Sequence, residues 1–324
     1  MISQLTINQF KEWDNYVKNH PNGTVFHTSS WLMAQKGELR ILAGYEKNKI
    51  IGGCAFIIKN RFGVKGIHNV PYTPFRGVLY GDISLPTNKN SIGKKNKFIK
   101  NLLKTINYGH VEFLLNTNDI DVLPYTWAGY TVQRINTFCI NNITTDVLKL
   151  MSSNKKREIS KFQKALKSGE FEIGSNNVEE EIFKLQLETG KRNNFDTHLQ
   201  TLKEVLKSNK SNYFSICLKS EKLGVFSGGI FVFDDKRIYN LINGSQRVDH
   251  PVFKNANVYL IYLAIEKARE MNLTFDFEGS SIEGIGNFYK MMGGEQQIRY
   301  RVLKSKNPLY FMLRSLKQWK IERK

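Results

Sequence analysis

A chain of 324 residues, 41% apolar and 12% aromatic, is long enough for two domains and can build real cores, which excludes global disorder. No apolar run approaches the roughly 18 residues of a membrane span, and no basic region leads into an apolar stretch at the start. Neither a spanning segment nor a signal peptide is therefore expected, and the expected location is the cytoplasm. The net charge of +19 either calls for a polyanionic partner (nucleic acid, phospholipid, coenzyme A or a nucleotide-sugar) or reflects a lysine-rich solvated surface.

Along the chain, residues 10–17 and 31–35 read as short helices, the second after Ser29 and Ser30 as candidate caps. Residues 40–45 and 50–58 read as a hairpin around a turn at 46–49. A loop at 71–78 carries Pro71, Tyr72, Pro74, Phe75 and Arg76; helix 92–106 and strands 111–115 and 130–139 follow. A long helix at 147–167 bears Lys155, Lys156, Arg157, Lys161, Lys164 and Lys167, with Leu148, Met151, Ile159, Phe162 and Leu166 at helical spacing. The domain join is placed there, giving domains 1–145 and 146–324. After helices 178–189 and 198–208, strands 212–218, 224–233 and 237–242 follow one another through connections short enough for antiparallel hairpins. Helix 258–271, a buried strand at 274–277, helix 285–292 and strand 297–303 complete the chain. The order describes an α/β fold, a mixed and mainly antiparallel sheet flanked by helices, and the first half is a weaker copy of the second.

Cys54, Cys139 and Cys217 are odd in number, far apart and without a CxxC pair, and the six histidines show no His-Glu-x-x-His spacing. That pattern suits a reduced compartment, and no metal site is expected.

The run Phe275-Asp276-Phe277-Glu278-Gly279-Ser280, followed by a segment from Ile285 to Gly294 in which Tyr289 stands four residues before Gly293, resembles part of the FemABX-like acyltransferases and the end of the GNAT core. Thr189-Gly190-Lys191-Arg192-Asn193-Asn194-Phe195 and residues 154–165 are similar to the same family, and loop 71–78 resembles its proline-aromatic acceptor loop. The resemblance implies two tandem GNAT-like domains, the acyl donor held by the second and the acceptor in a cleft between them. It also implies acyl-coenzyme A as a co-substrate, with no tightly bound cofactor. The usual pyrophosphate loop, Gln/Arg-x-x-Gly-x-Gly/Ala, is absent; Asn243-Gly244-Ser245-Gln246-Arg247 and Asn255-Ala256-Asn257 stand in its place.

Moving an acyl group from a thioester to an amine needs a base for the ammonium, a donor for the oxyanion and an acid for the thiolate. Asp276 and Glu278 alternate with Phe275 and Phe277, so both carboxylates project from one strand face. Glu278, nearer the loop, is the candidate base; Asp276 is a second catalytic candidate, or else a helix cap or ion-pair partner. Tyr289 would protonate the thiolate, as the resemblance implies, or pack beside Phe288. Gly228 and Gly229 would offer backbone N–H groups to the oxyanion, or mark a bulge. The start of helix 258–271 suits a pyrophosphate, with Gly244, Ser245, Arg247, Asn255 and Asn287 as donor contacts. His250 is either a second base or a loop residue. Tyr72, Phe75 and Arg76, with Lys191 and Arg192, are the acceptor candidates; the alternative is a surface loop whose aromatics cover the first core.

Three functions stay open. The first is transfer from acyl-coenzyme A to the amine of an amino sugar, nucleotide-linked, for a bacterial surface polysaccharide or lipopolysaccharide. The second is aminoacyl-tRNA-dependent extension of a peptidoglycan branch, favoured by the charge and the basic helix but lacking a long coiled-coil arm. The third is a basic nucleic-acid or membrane-surface binding protein without catalysis. It draws on residues 309–324, where Leu309, Met312, Leu313, Leu316 and Trp319 share a helical face edged by Arg314, Lys317 and Lys320. On the first reading the partners are acyl-coenzyme A and the amino sugar. DNA is excluded, tRNA disfavoured, and membrane contact is peripheral at most.

Overall fold

The computed structural model describes residues 2–81, 89–141, 143, 146–175, 177–279 and 282–314. The chain divides into two compact units, one of residues 1–136, 201–209 and 298–324, the other of residues 137–200 and 210–297. The single cut expected at 145/146 is thus replaced by an interleaved division.

In the first unit, β1 (Ile2–Gln4), α1 (Phe10–Asn19) and α2 (Ser29–Met33) precede a long hairpin, β2 (Glu38–Glu46) and β3 (Lys49–Arg61). Lys47 and Asn48 close that hairpin with φ of 48° and 61°, the left-handed geometry a tight two-residue turn requires. β4 (Val64–Ile67), β5 (Leu79–Tyr80), α3 (Lys89–Thr105), β6 (His110–Leu114) and α4 (Leu123–Trp127) follow. β2 lies between β1 and β3, β4 pairs antiparallel with β3, and β6 runs parallel to β4. Phe98, Ile99, Leu102 and Leu103 of α3 cover this sheet against Phe56, Phe113 and Tyr125. β7 (Thr131–Ile140) begins in the first unit and ends in the second.

The second unit holds α5 (Val147–Leu150), α6 (Ser153–Lys167), β8 (Glu172–Gly174) and α7 (Glu179–Asn193). The expected helix 147–167 is broken, because Met151 is extended (φ −94°, ψ 155°) and the Ser152 N–H donates to Met291 O at 2.9 Å. α8 (Leu199–Ser208) leads to three successive antiparallel strands, β9 (Tyr213–Ser220), β10 (Gly224–Phe233) and β11 (Arg237–Ser245). α9 (Ala256–Glu270) crosses over to β12 (Thr274–Asp276), which is parallel to β11 and antiparallel to the end of β7. α7 covers one face of this sheet; α6 and α9 pack on the other around Phe231, Phe275 and Phe226.

α10 (Glu283–Met291) precedes β13 (Glu295–Ser305), which pairs antiparallel with β6 from Arg301 to Ser305. That pairing returns the C-terminal segment to the first unit. There Glu112 of β6 is fully buried, accepts a hydrogen bond from Arg314, and lies 3.2 Å from Arg301 Nε and 3.5 Å from His110 Nε2. His68 stacks on His110 at 5.0 Å, and its Nε2 donates to Val64 O, so the Tyr310 hydroxyl donates to Nδ1 at 3.0 Å. Residues 308–314 are helical, with Tyr310 buried and Leu309, Met312 and Leu313 exposed. The described part of that apolar face, Leu309, Met312 and Leu313, is therefore turned outward, and Tyr310 and Arg314 anchor the segment. Leu316, Lys317, Trp319 and Lys320 lie outside the described residues.

Candidate functional site

β11 and β12 pair over three positions only, Arg237 with Thr274, Ile238 with Phe275 and Tyr239 with Asp276. β12 then ends, and the Phe277 N–H turns to Phe138 O of β7 at 2.9 Å. β11 continues to Ser245 with β10 alone beside it, so residues 240–245 present an edge with no strand partner among the described residues. The edge is further bent by a bulge: Ile230 pairs with Ile242 and Phe231 with Asn240, leaving Leu241 as the extra residue. The carboxyl ends of two parallel strands and the amino end of the helix joining them open on the same side of a sheet, where α/β folds bind ligands. Asn255, the residue before α9, makes no side-chain cap; the Ala256 N–H is taken by Phe253 O of the preceding short turn, so an anion at this end would meet the N–H groups after it.

Asp276 is fully buried at the end of β12. Its Oδ1 accepts from Thr137 Oγ1 at 2.7 Å and from the Glu278 N–H at 2.9 Å, and its Oδ2 meets Arg237 Nη1 at 3.2 Å. A carboxylate so occupied does not exchange protons with a substrate; the catalytic candidacy of Asp276 is corrected to that of a carboxylate fixing the turn. The turn places Glu278 at φ 60°, a left-handed conformation that costs a non-glycine residue of order 1 kcal/mol and is held by the bond to Asp276. The Glu278 side chain is half-buried. Tyr289 of α10 stacks against Phe277 at 4.7 Å and Phe138 at 5.7 Å. Burial, and then the charges of Glu278 and Asp276, push its pKa up, so it carries its proton at neutral pH. Base and acid candidates thus lie in one electrostatic neighbourhood just beyond the end of β12.

Gly228 and Gly244 are cross-strand partners. A Cβ on Gly228 would lie 2.6 Å from Ile182 Cγ1, and one on Gly244 would lie 3.1 Å from Leu185 O, so both glycines admit α7 to the sheet. Gly229 faces the other way, against Phe231. Because β10 is paired on both sides, Gly228 and Gly229 lie on no open strand edge, whereas residues 240–245 of β11 do. Gly228→Ala is expected to lower the unfolding free energy by about 1–3 kcal/mol through overpacking against α7, measured by urea denaturation.

Ser245 at the end of β11 hydrogen-bonds Ser227 Oγ at 2.7 Å, and its carbonyl accepts from Arg192 Nη2 at 2.9 Å. Arg192 and the exposed Lys191, expected on the acceptor side, thus end α7 beside the donor candidates. Arg247 and Asn287 are exposed, the latter on α10. His250 Nδ1 accepts from the N–H groups of Val252 and Phe253 at 3.3 and 3.2 Å, which makes it a loop cap and not a base. Tyr72, Phe75 and Arg76 lie in the first unit. Phe75 is core, packed with Phe26 and under the Arg299 guanidinium at 4.1 Å. Arg76 is fully buried and donates to His68 O and Asn69 Oδ1, both at 3.0 Å. The expected stacking by Phe75 and phosphate contact by Arg76 are thereby corrected, since neither group reaches solvent; Tyr72 alone is half-exposed, at φ 55°. Thr137 and Arg237, which fix Asp276, went unnoticed in the sequence, where nothing local marks them.

Among the described residues no cluster of three or more His, Cys, Asp or Glu could hold a metal ion, and no helix is long and apolar enough to cross a membrane. No protein-family model and no curated protein matches the sequence. Solved structures match its fold alone: the mixed, mostly antiparallel sheet flanked by helices is a FemABX/GNAT-like fold. FemX superposes with a TM-score of 0.66 at 15% identity, over 92% of this chain and 96% of its own. L-PGS from Bacillus licheniformis gives 0.56 at 11% identity over 95% of each chain. The tandem GNAT protein from the clavulanic acid biosynthesis pathway gives 0.53 at 7% identity, over 95% of this chain and 99% of its own.

Proposed function

We propose that this chain transfers an acyl group to an amine, with the donor carbonyl laid along the open edge of β11. The observation that carries the reading is the convergence of that edge, the amino end of α9, Glu278 and Tyr289 at one end of the β11–β12 pair. Glu278 takes the ammonium proton and frees the lone pair that attacks the carbonyl. N–H groups of the β11 edge meet the oxyanion, and Tyr289 gives its proton to the departing group. Acyl-coenzyme A is the proposed donor, supported by a helix start that has no side-chain cap and by Ser245 and Arg247 before it. An amino sugar remains the proposed acceptor, but its nucleotide loses its support with the burial of Arg76.

A second reading, an aminoacyl-tRNA donor, is favoured by the solvent face of α6, where Lys156, Arg157, Lys161, Lys164 and Lys167 are exposed. Both are tested together. Thiol release is followed with a panel of acyl-coenzyme A donors and amino sugars, and deacylation of charged tRNA with an amine acceptor at two salt concentrations. Coenzyme A at about 100 times its Kd is expected to stabilise the fold by about 2.7 kcal/mol, read as a rise in Tm. Thiol release without tRNA turnover supports the first reading; the converse supports the second; silence with every donor sinks the acyl-transfer proposal itself.

A further inference from the structure

Of the tryptophans described, Trp13 and Trp31 are fully buried, whereas Trp127 at the end of α4 is 57% exposed. Leu123, one helical turn earlier on the same face, is 51% exposed, and Ile120 just before the helix is 77% exposed. Pro124 and Tyr125 take the inward side of α4, so the three outward residues contribute nothing to the core of their own unit. α4 packs beside α3, and Lys100 Nζ of α3 stands 5.8 Å from the centre of the Trp127 ring. Between Lys89 and Thr105, α3 holds Lys89, Lys94, Lys95, Lys97, Lys100 and Lys104 and no acidic residue. Lys97 and Lys104 are exposed, with Phe98, Ile99, Leu102 and Leu103 turned to the core. The two acids near α4 are engaged: Asp119 is buried 3.5 Å from Lys95, and Asp121 receives the Leu123 N–H.

We infer that this α3–α4 face docks on an anionic phospholipid surface. An exposed tryptophan with two aliphatic neighbours suits the boundary between headgroups and acyl chains, and the exposed Lys94, Lys97 and Lys104 of a helix without an acid supply the attraction to lipid phosphate. The aliphatic pair, Ile120 and Leu123, favours lipid over nucleic acid, because neither side chain offers a plane to a base or a donor to its edge. The site is separate from the acyl-transfer residues and stands or falls without them.

The test is co-sedimentation of the full chain with vesicles of phosphatidylglycerol or of phosphatidylcholine, at low and at physiological salt, with thermal melts to check folding. Binding is expected to phosphatidylglycerol alone and to weaken with salt. Each lysine near an anionic surface is worth about a fivefold change in affinity, so Lys97→Glu with Lys104→Glu should lower it at least about 25-fold. Trp127→Ala with Leu123→Ala should lower it about tenfold, and wild-type tryptophan emission should shift to the blue on binding in a way that Trp127→Phe abolishes. Lys161→Glu with Lys164→Glu on α6 should leave vesicle binding unchanged. Failure to bind phosphatidylglycerol overturns the inference, as does binding indifferent to both α3–α4 variants. RNA binding lost in those variants without any vesicle binding overturns it equally.

Discussion

Glu112→Gln is expected to cost about 3 kcal/mol of unfolding free energy, measured by urea denaturation at neutral pH. Burial alone would raise the pKa of this carboxyl. The His110 ring 3.5 Å away and the Arg314, Arg301 and Arg76 charges outweigh burial and hold it down to about 2. The glutamine keeps the shape and removes the charge that those guanidiniums face. Breaking a buried pair costs up to about 5 kcal/mol; the lower value applies because Arg301 and Arg314 are partly exposed and can turn outward. The sign with pH follows from the depressed value. Above the ordinary carboxylate pKa, near 4.5, the stabilisation is fully present, and it is lost as pH falls towards about 2. His68 acts in the same direction at milder acidity. Burial pushes its pKa down to about 4, so the unfolded chain gains the proton first and stability begins to fall below about 6.5. Glu112→Gln should therefore flatten the lower part of the stability curve and leave the upper part. A variant as stable as wild type with an unchanged acid limb would make Glu112 dispensable to the anchoring of Arg314.

Glu278→Gln is expected to reduce kcat by about 10²–10⁴-fold with the thermal midpoint almost unchanged. The residue is half-exposed, and its backbone is held by the N–H bond to Asp276, which a glutamine keeps. KM for the donor should hardly move, because in the proposed mechanism the carboxylate acts on the acceptor's proton and not on the carbonyl. Tyr289→Phe retains the ring stacked on Phe277 and Phe138 and removes only the proton donor, so a loss of roughly 10–100-fold in kcat is expected. Asp276→Asn separates chemistry from structure: it leaves Arg237 facing a neutral group, so stability should fall along with turnover. Full turnover by Glu278→Gln, in an assay where wild-type transfer is established, would reduce Glu278 to a turn residue.

The regular second half was legible because its signals are local. The hairpin strands β9, β10 and β11 are set apart by short polar connections, and α9 repeats its apolar residues at helical spacing. The alternation from Phe275 to Glu278 marked two carboxylates as one strand face, but β12 stops at Asp276 and Glu278 lies beyond it in a turn at φ 60°. Short strands such as β4, β5 and β8 escaped because two to four residues carry too little periodicity to separate from loop. The helix expected at 147–167 hid its break, since Met151 and Ser152 are compatible with helix and only the bond to Met291 pulls them out of it.

By itself, then, the amino-acid order determined the α/β class through the order of its elements, and its 275–294 segment carried the resemblance to a FemABX/GNAT-like fold that implies the candidacy of Tyr289, with Glu278 marked by its place after a short strand. Only the tertiary structure decided which edge of β11 is open, because that depends on where β12 stops and β7 takes over. It decided as well that Arg76 is a buried donor to backbone and that Gly228 and Gly244 make room for α7. The pairs that settled these roles lie far apart in sequence, Thr137 with Asp276 and Glu112 with Arg314. A contact between such residues has no period and no motif; it exists only because packing brings the two side chains to one place, where burial makes each need the other.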